Sequence, residues 1–274
     1  DEWLDYTQRV GGQFQYLVNF GSGTAQEAAN LVEYVNGTAD HDDSGTDYAA
    51  LRAGRGHTAP YGVTMWEVGN EMYGQWETGN KGDREFDYAN PQAKDGGDPR
   101  WYGRPAEQVG NYAARAAEFA RAMRAASPTP IKLYAILGNW DNFGWGRKEW
   151  GIYATMEESV AALLQHGKAD FDGVVIHYYP QNSNYLSNAN EAVLAYPQIF
   201  AQRLAEVRAT LARLSPDKRM ELVISEWNLQ STTTSGQPRA LVNALFVADN
   251  LRLFLTEGID VATSLPISDR GGRR

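Results

Sequence analysis

The chain of 274 residues contains no cysteine. That removes disulfides, thiolate nucleophiles and cysteine-based zinc sites together. It also lacks long apolar runs, and no stretch approaches the roughly 18 uninterrupted apolar residues that a membrane span needs. Basic residues are in the minority, 25 against 34 acidic. The resulting formal net charge of −9 argues against non-specific binding to nucleic acid or to an anionic lipid surface. The 4 histidines show no metal-ligand spacing, so neither a metal nor an organic cofactor is expected. The acidic stretch Asp40 to Gly45 opens like a calcium loop, but its twelfth position is Leu51 where such a loop needs Glu. Gly21-Ser-Gly-Thr-Ala-Gln lacks the third glycine of a dinucleotide fingerprint and the lysine of a P-loop. The opening residues carry no secretory-leader pattern, and a cysteine-free chain suits cytoplasm and exterior equally, so the compartment stays open.

What is abundant is aromatic: 8 Trp and 15 Tyr, many in glycine-rich stretches rather than apolar runs. Flat faces with polar tips are suited to stacking on sugars. Periodicity divides the chain into alternating elements. Asp1 to Val10 reads as a helix, and Gln13 to Phe20 as a strand. Thr24 with Glu27 is a capping box that opens a helix stopping at Asn36-Gly37. Strands follow at Tyr61 to Gly69, Ile131 to Leu137, Phe171 to Tyr178, Met220 to Ile224 and Ile259 to Leu265. The helical face of Val109, Tyr112, Ala116, Phe119 and Met123 separates two of them, and further helices open at Thr155, Glu191 and Arg239. Asn70 to Arg104 has no period and reads as one long loop, a length that is usually functional. Asn36-Gly-Thr38 is a glycosylation sequon.

Strands of continuous apolar character, alternating with helices, imply a parallel sheet covered by helices. The long polar and aromatic loops all follow strand C-termini, where (β/α)8 TIM barrels build their sites. Six strands are legible, so the expectation is an α/β barrel of this type, incomplete, with all of residues 1–274 forming one domain. Two carboxylates, Glu71 and Glu226, sit where strands end, each preceded by apolar strand residues and flanked by Asn and Trp. That placement fits a lined pocket better than a wet turn.

The segment Trp66-Glu-Val-Gly-Asn70-Glu71-Met-Tyr-Gly-Gln-Trp76 resembles the Gly-Asn-Glu motif at the end of strand 4 in clan A of the glycoside hydrolases. It is most similar to that of the family 51 α-L-arabinofuranosidases. Val18-Asn19-Phe20-Gly21-Ser-Gly-Thr24 resembles the strand 3 region, His177-Tyr-Tyr179 the end of strand 6, and Ile224-Ser-Glu226-Trp-Asn228 the strand 7 nucleophile segment.

The resemblance implies a retaining glycoside hydrolase, with Glu226 as nucleophile and Glu71 as general acid/base. It implies that Asn70 hydrogen-bonds the sugar 2-OH, that Tyr179 donates to Glu226, and that Asn19 and His177 contact substrate. Trp76, Trp140 and Trp227 are candidate stacking platforms, with Trp101 and Trp145 beside them. The substrate class is plant polysaccharide or its oligosaccharides. An endo-β-glycanase of cellulase or xylanase type, or a catalytically silent carbohydrate-binding fragment, stays open at this point. The resemblance also implies departures: it numbers the six strands 3 to 8, which makes residues 1–274 an N-terminally truncated catalytic barrel expected to lack strands 1 and 2, and strand 8 (Val261 to Ile267) lacks the Trp common across the clan. Two sheet edges would then stand unpaired, which predicts that another chain covers them.

Overall fold

The computed structural model describes residues 1–39, 45–72, 106–137, 156–180, 189–229 and 237–264. Its strands are β1 (Gln15–Val18), β2 (Met65–Val68), β3 (Lys132–Ile136), β4 (Gly173–Tyr178), β5 (Glu221–Trp227) and β6 (Val261–Ala262). The helices are α1 (Glu2–Arg9), α2 (Ala25–Asn36), α3 (Tyr48–Gly54), α4 (Ala106–Ala126), α5 (Met156–Gly167), α6 (Asn190–Leu214) and α7 (Leu241–Thr256). Every strand pairs in parallel with its successor in sequence, giving the sheet order β1-β2-β3-β4-β5-β6. The helices between them pack side by side, α2 on α4, α4 on α5, α5 on α6 and α6 on α7.

Side-chain contacts show that this sheet curls. The Ser225 hydroxyl on β5 reaches the Glu67 carboxylate on β2 at 3.2 Å, although the two strands stand three places apart. In a flat sheet with about 4.8 Å between strands that gap would be about 14 Å. Lower in the same interior, Lys132 and Tyr134 of β3 both bond Glu221 of β5, at 2.6 and 2.8 Å. They meet across Gly173 of β4, where an added Cβ would stand 2.4 Å from the Glu221 carbonyl oxygen. The architecture is therefore part of a (β/α)8 barrel, with six of its strands present.

The local signals act as expected in most places. Thr24 accepts from the Glu27 backbone at 3.1 Å while the Glu27 carboxylate accepts from the Thr24 backbone at 2.7 Å, so the capping box of α2 is complete. Tyr112, Ala116, Phe119 and Met123 of α4 are all fully buried against the sheet and its neighbours. Tyr112 adds a polar tie, donating to the Val68 carbonyl and accepting from the Ile136 backbone, both at 2.8 Å. Two local features differ from the sequence reading. Residues 48–54 form α3, capped by the Asp47 carboxylate on the Ala50 backbone at 2.6 Å. The sequon asparagine, Asn36, is buried and exchanges two 2.8 Å hydrogen bonds with the Val63 backbone, which leaves no amide nitrogen for a glycan.

Candidate active site

The upper end of the barrel interior is built on two backbone irregularities. The first lies after β2, where Gly69 has φ +92° and Glu71 φ +40°. A Cβ on Gly69 would sit 3.0 Å from Met72 and 3.1 Å from Phe20, so the turn demands glycine on conformation and on space. Glu71 has no such freedom, and its left-handed backbone stores strain of about 1–3 kcal/mol at the residue expected to act on substrate. The second irregularity is a bulge. Ile176 pairs with Ile224 and His177 with Glu226, so Ser225 has no register partner on β4. An extra residue cancels the usual alternation, and Ser225 and Glu226 both reach His177 although they are consecutive.

His177 is the hub. Its side chain is 2% exposed, against 13% for Glu71 and 25% for Glu226. Nδ1 lies 2.9 Å from Glu71 Oε1 and 3.7 Å from Glu226 Oε2. Nε2 lies 2.9 Å from Ser225 Oγ and 3.8 Å from Glu67 Oε1. Burial alone would push the imidazole down, but the Glu67 and Glu71 carboxylates and the charge of Glu226 hold it up to about 10. Tyr179 donates to Glu226 Oε2 at 2.8 Å. Burial raises the Glu226 carboxyl above the usual range, opposed by the His177 charge and by the Tyr179 hydrogen bond. The Tyr179 phenol is itself pushed far up by burial and by the neighbouring Glu226, so it stays a donor.

Glu71, His177 and Glu226 form the one group of described residues whose acidic and imidazole atoms all lie within 4.8 Å of one another. Spacing alone would admit a cation. The donor set does not fit one, because both ring nitrogens of His177 are already engaged by Glu71 and Ser225. The same spacing suits a sugar. Two carboxylates about 5 to 5.5 Å apart permit direct attack by one of them, whereas about 6.5 to 9.5 Å leaves room for an intervening water.

The structure brings together three of the sequence candidates, Glu71, His177 and Glu226, with Tyr179 beside them, and Asn70 directly precedes Glu71. Two others have different surroundings. Asn19 is exposed, and its side chain binds Ser22 through the backbone at 3.2 Å and the hydroxyl at 2.8 Å, which makes it a turn-former after β1. Trp227 is 2% exposed and packs edge-on against Phe254 of α7 at 4.9 Å, so its ring is core and offers no stacking face. Trp76, Trp101, Trp140 and Trp145 lie outside the described residues, as do Asp40 to Ser44 of the acidic stretch. Tyr178 is also accounted for: it donates to the Tyr196 carbonyl and stacks on Phe200 at 3.7 Å, facing the helices. Sequence reasoning missed Glu67 and Ser225. A carboxylate inside the apolar strand Met65-Trp-Glu-Val68 was the available signal for the first.

Comparison with known proteins agrees with this architecture. Residues 1–94 match the model of the alpha-L-arabinofuranosidase 1 domain. The chain is 28% identical to a probable alpha-L-arabinofuranosidase C of Aspergillus clavatus over 95% of its length, covering 46% of that protein. It is 26% identical to an intracellular exo-alpha-(1->5)-L-arabinofuranosidase of Halalkalibacterium halodurans, over 84% of the chain and 38% of that protein. The chain thus spans less than half the length of these curated relatives. The alpha-L-arabinofuranosidase of Thermotoga maritima superposes with a TM-score of 0.68 at 22% identity, over 96% of this chain and 45% of that one. A family 51 enzyme of Thermotoga petrophila gives 0.69 at 23%, with the same coverage. With its motifs on one curled sheet and a matched N-terminal segment, the chain is similar to the alpha-L-arabinofuranosidases in sequence and shares their barrel fold, six strands of which lie among the described residues.

Proposed function

We propose that this barrel is part of a retaining glycoside hydrolase that releases α-L-arabinofuranosyl groups from plant polysaccharide or its oligosaccharides. The observation that carries the reading is the close pair of carboxylates, with Glu71 and Glu226 oxygens within 4.8 Å and both next to His177. In the first step Glu226 attacks the anomeric carbon while Glu71 gives its proton to the departing oxygen. In the second, water attacks the same carbon, Glu71 takes a proton from it, and the bond to Glu226 breaks. Tyr179 orients the Glu226 oxygen that must stay ionised, and Asn70, one residue before the acid, is assigned the contact to a neighbouring hydroxyl of the sugar on the resemblance of its motif. The names of the curated relatives support the arabinofuranosyl assignment, and that of the Halalkalibacterium protein supports action at chain ends.

The reading is tested at Glu226. Glu226→Ala should lose at least about a thousandfold in turnover of aryl α-L-arabinofuranosides. Azide, small enough to enter the emptied space, should restore part of the rate and yield a glycosyl azide of inverted configuration. Residual activity within about tenfold of the parent would rule the role out. A panel of chromogenic aryl glycosides and polysaccharides separates the arabinofuranosidase reading from an endo-β-glycanase and from a silent binder.

Among the described residues, β1 pairs only with β2 and β6 only with β5. Leu17 of β1 is 38% exposed, Gln8 of α1 donates to the Tyr61 carbonyl, and Asp1, ahead of α1, accepts from the Tyr34 hydroxyl. We infer that both edges are covered by further polypeptide, with a second chain as the reading that the sequence favours.

A further inference from the structure

The proposed reaction leaves one buried charge without a task. Glu67 is fully buried in β2, below Glu71, and its carboxylate is held from two sides. Gln15 Nε2 donates to Oε2 at 2.9 Å, and Ser225 Oγ donates to Oε1 at 3.2 Å. A carboxylate so enclosed accepts only, and a serine hydroxyl has a single hydrogen to give. With that hydrogen directed at Glu67, the Ser225 oxygen can only accept from His177 Nε2, 2.9 Å away. Nε2 must then carry a hydrogen. Nδ1 is left facing Glu71 Oε1 at 2.9 Å, a link that holds one proton, on Nδ1 when Glu71 is a carboxylate and on Glu71 when the ring is neutral.

We propose that Glu67, acting through Ser225, is a positioning residue that fixes His177 as the Nε2–H form and so makes Nδ1 the proton partner of Glu71. The proposal rests on the acid/base role assigned to Glu71 above. The proton count balances without an outside acid. The single proton of the link leaves through Glu71 for the departing oxygen, and the water of the second step returns one to the same place. Among the described residues, the charged and titratable groups facing His177 are Glu67 from β2, Glu71 from the turn after it and Glu226 from β5. Tyr179 faces Glu226. Three carboxylates around one imidazole make its protonated form stable, and the relay decides which nitrogen always keeps its hydrogen.

The bulge gives this arrangement its reach. Only because Ser225 is the extra residue of β5 can it sit between His177 and Glu67 while Glu226, next in sequence, faces the cleft. The arrangement also accounts for a carboxylate that would otherwise be a costly burial with no return.

The test reads the ring directly. In the complete protein carrying 15N-labelled histidine, with His177→Asn to assign the signal, Nε2 should keep its hydrogen while Nδ1 alone titrates. In Glu67→Gln the new amide donates to Ser225, the hydroxyl turns to donate to Nε2, and the hydrogen should move to Nδ1. Ser225→Ala removes the relay without disturbing a charge, so it keeps the test intact if Glu67→Gln fails to fold; it should give mixed tautomers, and Ser225→Thr should restore the parent signal. Both disrupting variants should lower kcat about tenfold or more, move the pH profile, and leave KM within about twofold. Ring signals unchanged in both variants, or a neutral parent ring that keeps its single hydrogen on Nδ1, would overturn the proposal. Altered ring signals with an unmoved pH profile would overturn instead the role of Glu71.

Discussion

Glu71 works under strain and in company. Its backbone at φ +40° is costly for a residue with a Cβ, and its carboxyl oxygen meets the ring nitrogen of His177 at 2.9 Å. If it supplies the leaving-group proton, Glu71→Ala should spare substrates whose leaving groups need none. Glycosylation of dinitrophenyl glycosides should fall far less than that of glycosides with poor leaving groups, and equal losses for both would contradict the role. At this scale the sequence was most legible where a residue belongs to a short motif. Glu71 and Glu226 were legible from strand ends, while His177 and Tyr179 were legible only through the resemblance; the structure brings the four together. The orientation of Trp227 was not legible, because a residue's neighbours along the chain do not say which way it points. Trp227 stands one step past Glu226, and alternation resumes there, turning its ring to the helices.

Among elements, the bulge in β5 and the turn after β2 do most to shape the cleft. Register is a property of two strands together, so nothing in Leu222-Val-Ile-Ser-Glu-Trp227 alone announces that Ser225 would lack a partner. The Thr263 backbone donates to the Ile224 carbonyl at 2.9 Å and its hydroxyl to the Ser225 carbonyl, so the residue after β6 pins the irregular step. The helices were more legible, since capping and periodicity are local. α3 escaped notice because its cap, Asp47, reads as one more acid in an acidic loop. The turn after β2 makes a sharp prediction. Gly69→Ala adds a Cβ at φ +92° against Met72 and Phe20, and should lower stability by about 1–3 kcal/mol by denaturant titration. It should also reduce turnover, because Glu71 lies two residues on. A variant as stable as the parent would mean that the turn relaxes freely.

For the whole molecule, the charge cluster couples stability to pH. His177 is raised in the folded state from its ordinary 6.5 to about 10, so its contribution is complete below 6.5 and is lost as pH climbs toward 10. Glu226 is raised as well, by burial, and acts in the same direction from a lower starting point. Urea midpoints should therefore fall between about pH 6.5 and 10, with a shallower slope in His177→Asn. A midpoint that rises over this range would count against the buried, protonated ring. The outer strands supply a second prediction at this scale. Light scattering at low concentration should show association; a stable 30 kDa monomer with full activity and both edges open would sink it. The barrel class was legible in the order of strands and helices, while the curl that joins β2 to β5 was not, because it arises from twist accumulated over several strands.

The sheet order has a consequence in time. Each strand pairs with its successor, so β1 to β4 can assemble as the chain emerges, each new unit docking on the last. Glu67 meets the hydroxyl it binds only when residue 225 arrives, 158 positions later. Until then its carboxylate faces a half-made interior and gains from staying wet. The cleft thus closes only once β5 is in place, and a chain stalled before β5 would hold its earlier helices and strands in order around an unfinished centre.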